Sequence, residues 1–241
     1  MQTSAEYRIL AQQQYRAAEL ALDRALNSRD TTWSAAVEQE KPFADLPPAI
    51  IMDLDETVLD NTPLEASFIL ARKPFDRGEF KNWTFRAEAP ALPGALEFIR
   101  HAQNRGVTVF FVTNRYADEE ADTRRNLQKL SISLPIDLDT VLSSGEPPYN
   151  WPSDKKDRRI FLAKKYRILL LIGDDLGDFV SLGDNALAHR QQIAEQYADK
   201  WGKVWFLIPN PIYGSWDFAL YPKGLKDSEI LDIKRSRLRL N

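Results

Sequence analysis

A chain of 241 residues, 44% of them apolar, can bury one sizeable core and leave material for a small accessory subdomain. Its net charge of −3 supplies no field to gather a nucleic-acid polymer or an anionic membrane, and apolar runs such as Ile168–Ile172 fall far short of the ~20 residues of a spanning helix. Cysteine is absent and histidine occurs only twice, which removes thiol nucleophiles, thiolate metal sites and disulfides and leaves catalytic chemistry to carboxylates.

Taken in chain order, residues 4–29 predict one helix, with Tyr7, Leu10, Ala11, Tyr15, Ala18 and Leu22 at three- and four-residue spacing. The proline-rich "KPFADLPP" links it to a first strand, "AIIMDLD". Residues 61–90 carry Phe68, Phe75, Phe80, Trp83 and Phe85 without a convincing core strand and read as a helical insert. Strands are then expected at "VTVFFVTN", "DTVLSS", "ILLLIGDD" and "KVWFLIPN". They alternate with helices at "PGALEFIRHAQNRG", "DEEADTRRNLQKL", "KDRRIFLAKKY" and "DNALAHRQQIAEQYADKWG", which place His101 and His189 as ordinary helix residues. From Lys226 the tail reads as a charged amphipathic helix whose basic residues Lys234, Arg235, Arg237 and Arg239 face solvent. Near-continuous apolar strands between helices predict an α/β fold with a parallel sheet covered on both faces. The division expected is an N-terminal helical segment over 1–46, a core over 47–60 and 91–225, the insert over 61–90, and a tail over 226–241.

Three of the strands end in polar groups: Asp53-Leu54-Asp55, Thr113-Asn114-Arg115 and Asp174-Asp175. Ligands of open parallel sheets bind in the crevice at the carboxyl ends of the strands, so neighbouring strands would bring these groups together. Asp53, Asp55, Glu56 and Asp60 repel one another, and such a cluster calls for a cation. Asp53 and Asp174 are hard oxygen ligands suited to Mg²⁺. A calcium-binding EF-hand loop is excluded, because Val58 and Leu64 stand where it needs glycine and a bidentate acid. Exposed loop acids account for Glu56 and Asp60, but not for acids that follow buried strands.

"DLDETVLDNTP", "FVTNR", "SDKKDRR" and "GDDLGDF", in that order, resemble the haloacid dehalogenase (HAD) superfamily, and within it the class C acid phosphatases, the outer-membrane lipoprotein 5′-nucleotidases. The resemblance implies a Rossmann-like core, with the helical cap inserted after the first strand. It makes Asp53 the nucleophile that forms an aspartyl-phosphate and Asp55 the acid that protonates the leaving oxygen and later deprotonates water. Thr57 would order the loop, and Thr113 and Asn114 would bind phosphoryl oxygens. Mg²⁺ would take Asp53, the backbone carbonyl of Asp55 and Asp174, with Asp178 holding its waters. The lysine that offsets charge between nucleophile and phosphate is Lys155 or its neighbour Lys156, each followed three residues later by an arginine; Lys155 is the candidate, with Arg158 supporting it. Asp175 has no role assigned.

Selectivity would come from aromatic residues that clamp the substrate, at Phe75, Trp83 and Tyr213, although packing within a small cap serves each of them equally well. Nucleoside monophosphates and aromatic phosphates are the expected substrates, at mildly acidic pH, with a homodimer open as the assembly. The family is exported, which points to the periplasm or outer membrane; Met1 directly before "QTSAEY" fits a start codon added to a trimmed mature chain. Two alternatives stand beside hydrolysis: a phosphotransferase using the same intermediate, and a non-catalytic surface protein binding haem or another ligand through the aromatic insert.

Overall fold

The computed structural model describes residues 1–28, 30, 32–183, 185–222 and 224–238. The five expected strands are β1 (Pro48–Met52), β2 (Thr108–Tyr116), β3 (Val141–Ser144), β4 (Arg167–Gly173) and β5 (Trp205–Leu207). They form one parallel sheet in the order β3-β2-β1-β4-β5. β1 and β4 are buried almost throughout, which is why they read as unbroken apolar runs. From β1 the chain steps outward through β2 to β3, then crosses back to β4 and β5. Strand order therefore reverses between β1 and β4, and the crevice at that reversal is where ligands of such sheets bind.

Among the described residues the helices are α1 (Ala5–Asn27), α2 (Thr62–Ala71), α3 (Arg77–Arg86), α4 (Ala95–Asn104), α5 (Glu120–Lys129), α6 (Lys156–Ala163), α7 (Leu187–Gln196), α8 (Ser215–Phe218) and α9 (Asp227–Ser236). α1 opens at Ser4, whose hydroxyl accepts from the Tyr7 N–H at 3.1 Å and caps the first turn. Its buried face, Ala11, Tyr15, Ala18, Ala21, Leu22 and Ala25, lies against α4, β4 and β5. Burying Tyr15 and Leu22 in this way contributes about 1.5–3 kcal/mol each. Small residues allow the close approach: a Cβ at Gly94 would sit 3.1 Å from the Tyr15 Cβ.

Residues 61–90 form the helix pair α2 and α3 on a narrow stem. The Asp60 N–H donates to the Pro90 carbonyl at 2.8 Å, and the Leu92 N–H to the Val58 carbonyl at 2.9 Å. α3 starts at Asp76, whose carboxylate accepts from the Glu79 N–H at 2.8 Å, and it buries Trp83 and Thr84. Arg77 fixes its outer end by pairing with buried Glu119 while its guanidinium lies 4.5 Å over the Tyr116 ring. The expected helix over 184–202 is shorter, ending at Gln196, and the turns beyond it carry Trp201 into a ring cluster with Phe179 and Trp205. Asp184 and Arg239, which belonged to expected helical segments, lie outside the described residues.

Candidate active site

The carboxyl ends of β1, β2 and β4 converge as the sequence pattern requires. Asp53 directly follows β1, and its N–H still donates to the Ile172 carbonyl of β4 at 2.9 Å. Oxygens of Asp53, Asp174 and Asp178 lie within 4.8 Å of one another. Lys155 Nζ donates to Asp53 Oδ1 and, at 2.6 Å, to Asp178 Oδ1, with only 5% of its side chain exposed. Lys156 is exposed, so of the two adjacent lysines it is Lys155 that reaches the aspartates. Asp178 is pressed against Gly173: any Cβ there would lie 2.2 Å from Asp178 Oδ2. That requires the glycine of "GDD" on steric grounds.

Burial pushes the Asp53 carboxyl up to about 7 against the pull of Lys155, with Asp178 and Asp55 adding repulsion. Burial and the charges of Asp53 and Asp178 hold Asp174 well above the usual carboxylate range. Its described partners are neutral: the Asn210 amide at 2.8 Å and the Thr57 hydroxyl at 3.3 Å. Three carboxylates facing one ammonium leave excess negative charge in a buried place, and hard oxygen donors in that arrangement suit a divalent cation such as Mg²⁺.

Asp55 is treated differently. The Arg115 guanidinium grips it through Nε, 3.1 Å from both carboxylate oxygens, and Nη2, 2.7 Å from Oδ1. The Asn61 amide donates to the same Oδ1 at 2.8 Å. Burial alone would raise Asp55, but Arg115 and Asn61 outweigh it and hold the carboxyl below its ordinary value. Sequence reasoning names Arg115 only as part of a converging strand end, with no role, and does not single out Asn61. A signal existed for Arg115, since residues i and i+2 of a strand share a face and Thr113 already points at the site.

Thr113 is buried, with its Oγ1 accepting from the Arg115 N–H at 3.1 Å. Asn114 turns its Oδ1 to Arg158 Nη2 at 2.8 Å, and buried Arg158 also reaches the carbonyls of Thr113, Pro152 and Ser153. Thr57 lies in the turn after β1, its carbonyl accepting from the Tyr15 hydroxyl of α1 at 2.6 Å. Glu56 corrects the expectation of an exposed loop acid. It is 1% exposed, adopts the left-handed region at φ 57, and accepts from the Asn61 backbone N–H at 2.8 Å and its amide at 3.1 Å. The turn is tied from inside, which supports an unfavourable backbone conformation.

The three aromatic residues are not equivalent. Phe75 is 58% exposed and packs edgewise with Phe68 and at a tilt with Phe80. Trp83 is buried, its indole N–H donating to Asn61 Oδ1 at 2.7 Å. Tyr213 is half-buried on the segment after β5, and its hydroxyl is buried without a hydrogen-bond partner among the described residues. Asp175 organises that segment, accepting from the Ser215 N–H at 2.8 Å and the Ser215 hydroxyl at 2.6 Å while capping the turn at Gly177.

A family model described as HAD superfamily, subfamily IIIB (acid phosphatase) matches residues 1–216. The chain belongs to this family. The class C acid phosphatase of Bacillus anthracis superposes on this HAD IIIB chain with a TM-score of 0.84 at 30% identity, covering 99% of it and 93% of the solved chain. A second structure of that enzyme, with tungstate bound, matches at 29% identity and the same TM-score. The soybean (Glycine max) stem 31 kDa glycoprotein is 28% identical over 163 residues, which cover 68% of this chain and 58% of the relative. Acid phosphatase 1 of tomato (Solanum lycopersicum) is 25% identical over 166 residues, covering 68% and 57%. The match thus spans under three-fifths of each of these two curated relatives. No helix of the described residues is long and apolar enough to cross a membrane.

Proposed function

We propose that the protein is a Mg²⁺-dependent acid phosphatase that hydrolyses phosphomonoesters, nucleoside 5′-monophosphates and aromatic phosphates among them, through an aspartyl-phosphate. The observation that carries the reading is the pairing of two aspartates two residues apart in opposite environments: Asp53 buried against Lys155, and Asp55 gripped by Arg115. Asp53 attacks phosphorus, and the phosphorus–oxygen bond to the leaving group breaks. The bonding pair goes to the leaving oxygen, which takes a proton from Asp55. Water then attacks the same phosphorus, Asp55 takes its proton, and the bond to Asp53 breaks to release inorganic phosphate. A phosphoryl dianion beside Asp55 opposes the pull of Arg115 and raises its proton affinity for the first step.

Thr113 and the Nδ2 of Asn114 donate to phosphoryl oxygens, the latter because Arg158 occupies its Oδ1. Lys155 supplies positive charge between nucleophile and phosphate. Asp53, Asp174 and the Asp55 carbonyl would hold Mg²⁺, with Asp178 beside them, and the ion when bound neutralises negative charge on the phosphate. Tungstate is a tetrahedral oxyanion like phosphate, so its binding by the Bacillus enzyme supports an oxyanion site here. Placement in the periplasm or at the outer membrane rests on the family resemblance.

The test is phosphate release from nucleotides, sugar phosphates and aryl phosphates by the purified protein, before and after EDTA treatment and on Mg²⁺ addition. Release should vanish with EDTA and return with Mg²⁺, and Asp53→Asn should lower turnover by about a thousandfold or more. Full activity in excess EDTA, or an Asp53→Asn variant retaining a tenth of turnover, would overturn the mechanism.

A further inference from the structure

Asp55 is held by two groups, and one helix of the insert touches both. Asn61 points its Nδ2 at Asp55 Oδ1 (2.8 Å) and Glu56 Oε2 (3.1 Å), while its Oδ1 accepts from the indole N–H of Trp83 (2.7 Å). An amide can be rotated to exchange its two ends, and the reversed orientation would aim a carbonyl oxygen at a carboxylate. The carboxylates of Asp55 and Glu56 oppose that exchange from one end, and the Trp83 N–H, a donor that cannot accept, anchors the amide from the other. The other holder, Arg115, lies with its guanidinium 5.6 Å from the centre of the Phe80 ring. Trp83 and Phe80 both belong to α3, which is secured to the core by the Arg77–Glu119 pair. Within the insert Trp83 is 7% exposed and faces Asn61, so it is a poor surface for a substrate ring.

We propose that α3 of the insert positions the proton-transferring carboxylate, with Trp83 acting through Asn61 and Phe80 acting through Arg115, neither touching the substrate. This deepens the phosphatase reading above and rests on it. Asp55 delivers its proton to the leaving oxygen as the phosphorus–oxygen bond breaks. A misdirected carboxyl therefore slows departure of an alkoxide, which needs the proton, far more than departure of a phenolate that is stable without one. A fault in folding, metal binding or phosphate binding would slow both alike.

The experiment compares kcat/KM for benzyl phosphate and for 2,4-dinitrophenyl phosphate, in the full chain and in Trp83→Phe, at saturating Mg²⁺ with a melting curve for each. Both substrates present a ring, but only benzyl phosphate leaves as an alkoxide. The ratio kcat/KM ends at leaving-group departure, so it excludes the later step in which Asp55 works on water. Trp83→Phe keeps an aromatic ring at this position and removes the N–H donor along with part of the indole's bulk, a packing loss that would slow both substrates alike. The benzyl rate should fall by about tenfold, a part of the full worth of general acid catalysis, while the dinitrophenyl rate stays within about twofold. Equal losses on the two substrates, or no loss on either, would overturn the proposal. If Trp83→Phe does not fold, Phe80→Leu at the half-buried neighbouring position carries the same expectation through Arg115, and the same results overturn it. A wild-type chain that releases phosphate from neither substrate refutes the phosphatase reading itself; a wild type active on both with an unchanged ratio in the variants refutes only the positioning role.

Discussion

Asp53 and Asp174 carry the electrostatic consequences of gathering carboxylates at the end of a buried sheet. Asp53 is buried and Asp174 half-buried, and both are raised, Asp53 to about 7. In the unfolded chain each would titrate near the ordinary carboxylate value of ~3.9. Between that value and 7 the folded protein binds more protons than the unfolded one, so its stability falls as pH rises. Buried Glu56 and partly buried Glu146, itself raised to about 7, add to the same trend. Asp55 does not offset this, because its lowered carboxyl gains stability only as pH rises to the unfolded value and is already ionised across this window. In EDTA the melting temperature should therefore decline steadily from pH 5 to pH 8. Mg²⁺ should raise it most at pH 8, where the carboxylates repel one another fully. A melting temperature that climbs between pH 5 and 7 in EDTA would contradict this account. Asp53 and Asp174 were legible in the sequence because they follow strand ends, and Asp178 entered only through the family resemblance. Asn61 was not: its contact with Asp55 exists only because the turn folds back on itself around Glu56, a tertiary event with no periodic signature.

The segment after β5 combines several short-range devices. Its Asn210 reaches Asp174, Ser215 is tied to Asp175, and the Trp216 indole donates to the Tyr213 carbonyl at 3.1 Å. Between the last two, Gly214 has φ +150, and a Cβ there would meet Trp216 at 2.8 Å. The backbone around Tyr213 is thus fixed from both sides, which suits a residue that presents a ring to a ligand. If it stacks on a nucleobase, Tyr213→Ala should weaken nucleotide binding by about 1–3 kcal/mol. A small aliphatic phosphate should be nearly unaffected, since Thr113, Asn114 and Lys155 are left intact. The ratio of kcat/KM for AMP over glycerol phosphate measures this, and an unchanged ratio with a lowered melting temperature would assign Tyr213 to packing. At this scale the strands were easy to read and α7 was not. Polar and apolar residues continue past Gln196 at helical spacing, but the Trp201 side chain is drawn into the Phe179–Trp205 cluster and the helix gives way to turns. Packing overrode propensity there.

Across the whole molecule, α1 is joined to the candidate site as well as to the core. The Tyr15 hydroxyl, buried completely, is bonded to the Thr57 carbonyl in the turn that carries Asp53 and Asp55. Tyr15→Phe keeps the ring and strands that carbonyl in a dry place, at a cost of about 1–3 kcal/mol. For a chain of this size each kcal/mol lowers the melting temperature by roughly 2–4 °C. The variant should also lose turnover, because the turn that carries the proposed nucleophile is loosened; a variant with wild-type stability and turnover would show that the bond contributes nothing. The sequence revealed α1 through its spacing, but not this bond, since nothing in a helical period indicates which buried tyrosine meets a loop.

The long reach of the N-terminal segment has a further consequence for how the protein is born. The Trp33 indole donates to the Leu169 carbonyl at 3.1 Å and the Trp205 indole to the Ala35 carbonyl at 2.8 Å, contacts that span 136 and 170 positions. α1 likewise rests on β4 and β5. At translation rates of about 5–20 residues per second, α1 must wait on the order of 10–40 s for β4 and β5 to be synthesised. Until then α4, whose Phe98 ring meets Tyr15, offers only part of its seat, and Trp33 lacks its Leu169 partner. The seat of α1 is thus completed only once β5 has been made. A holdase that recognises such a helix would find its longest opportunity here, during synthesis and before the sheet is whole.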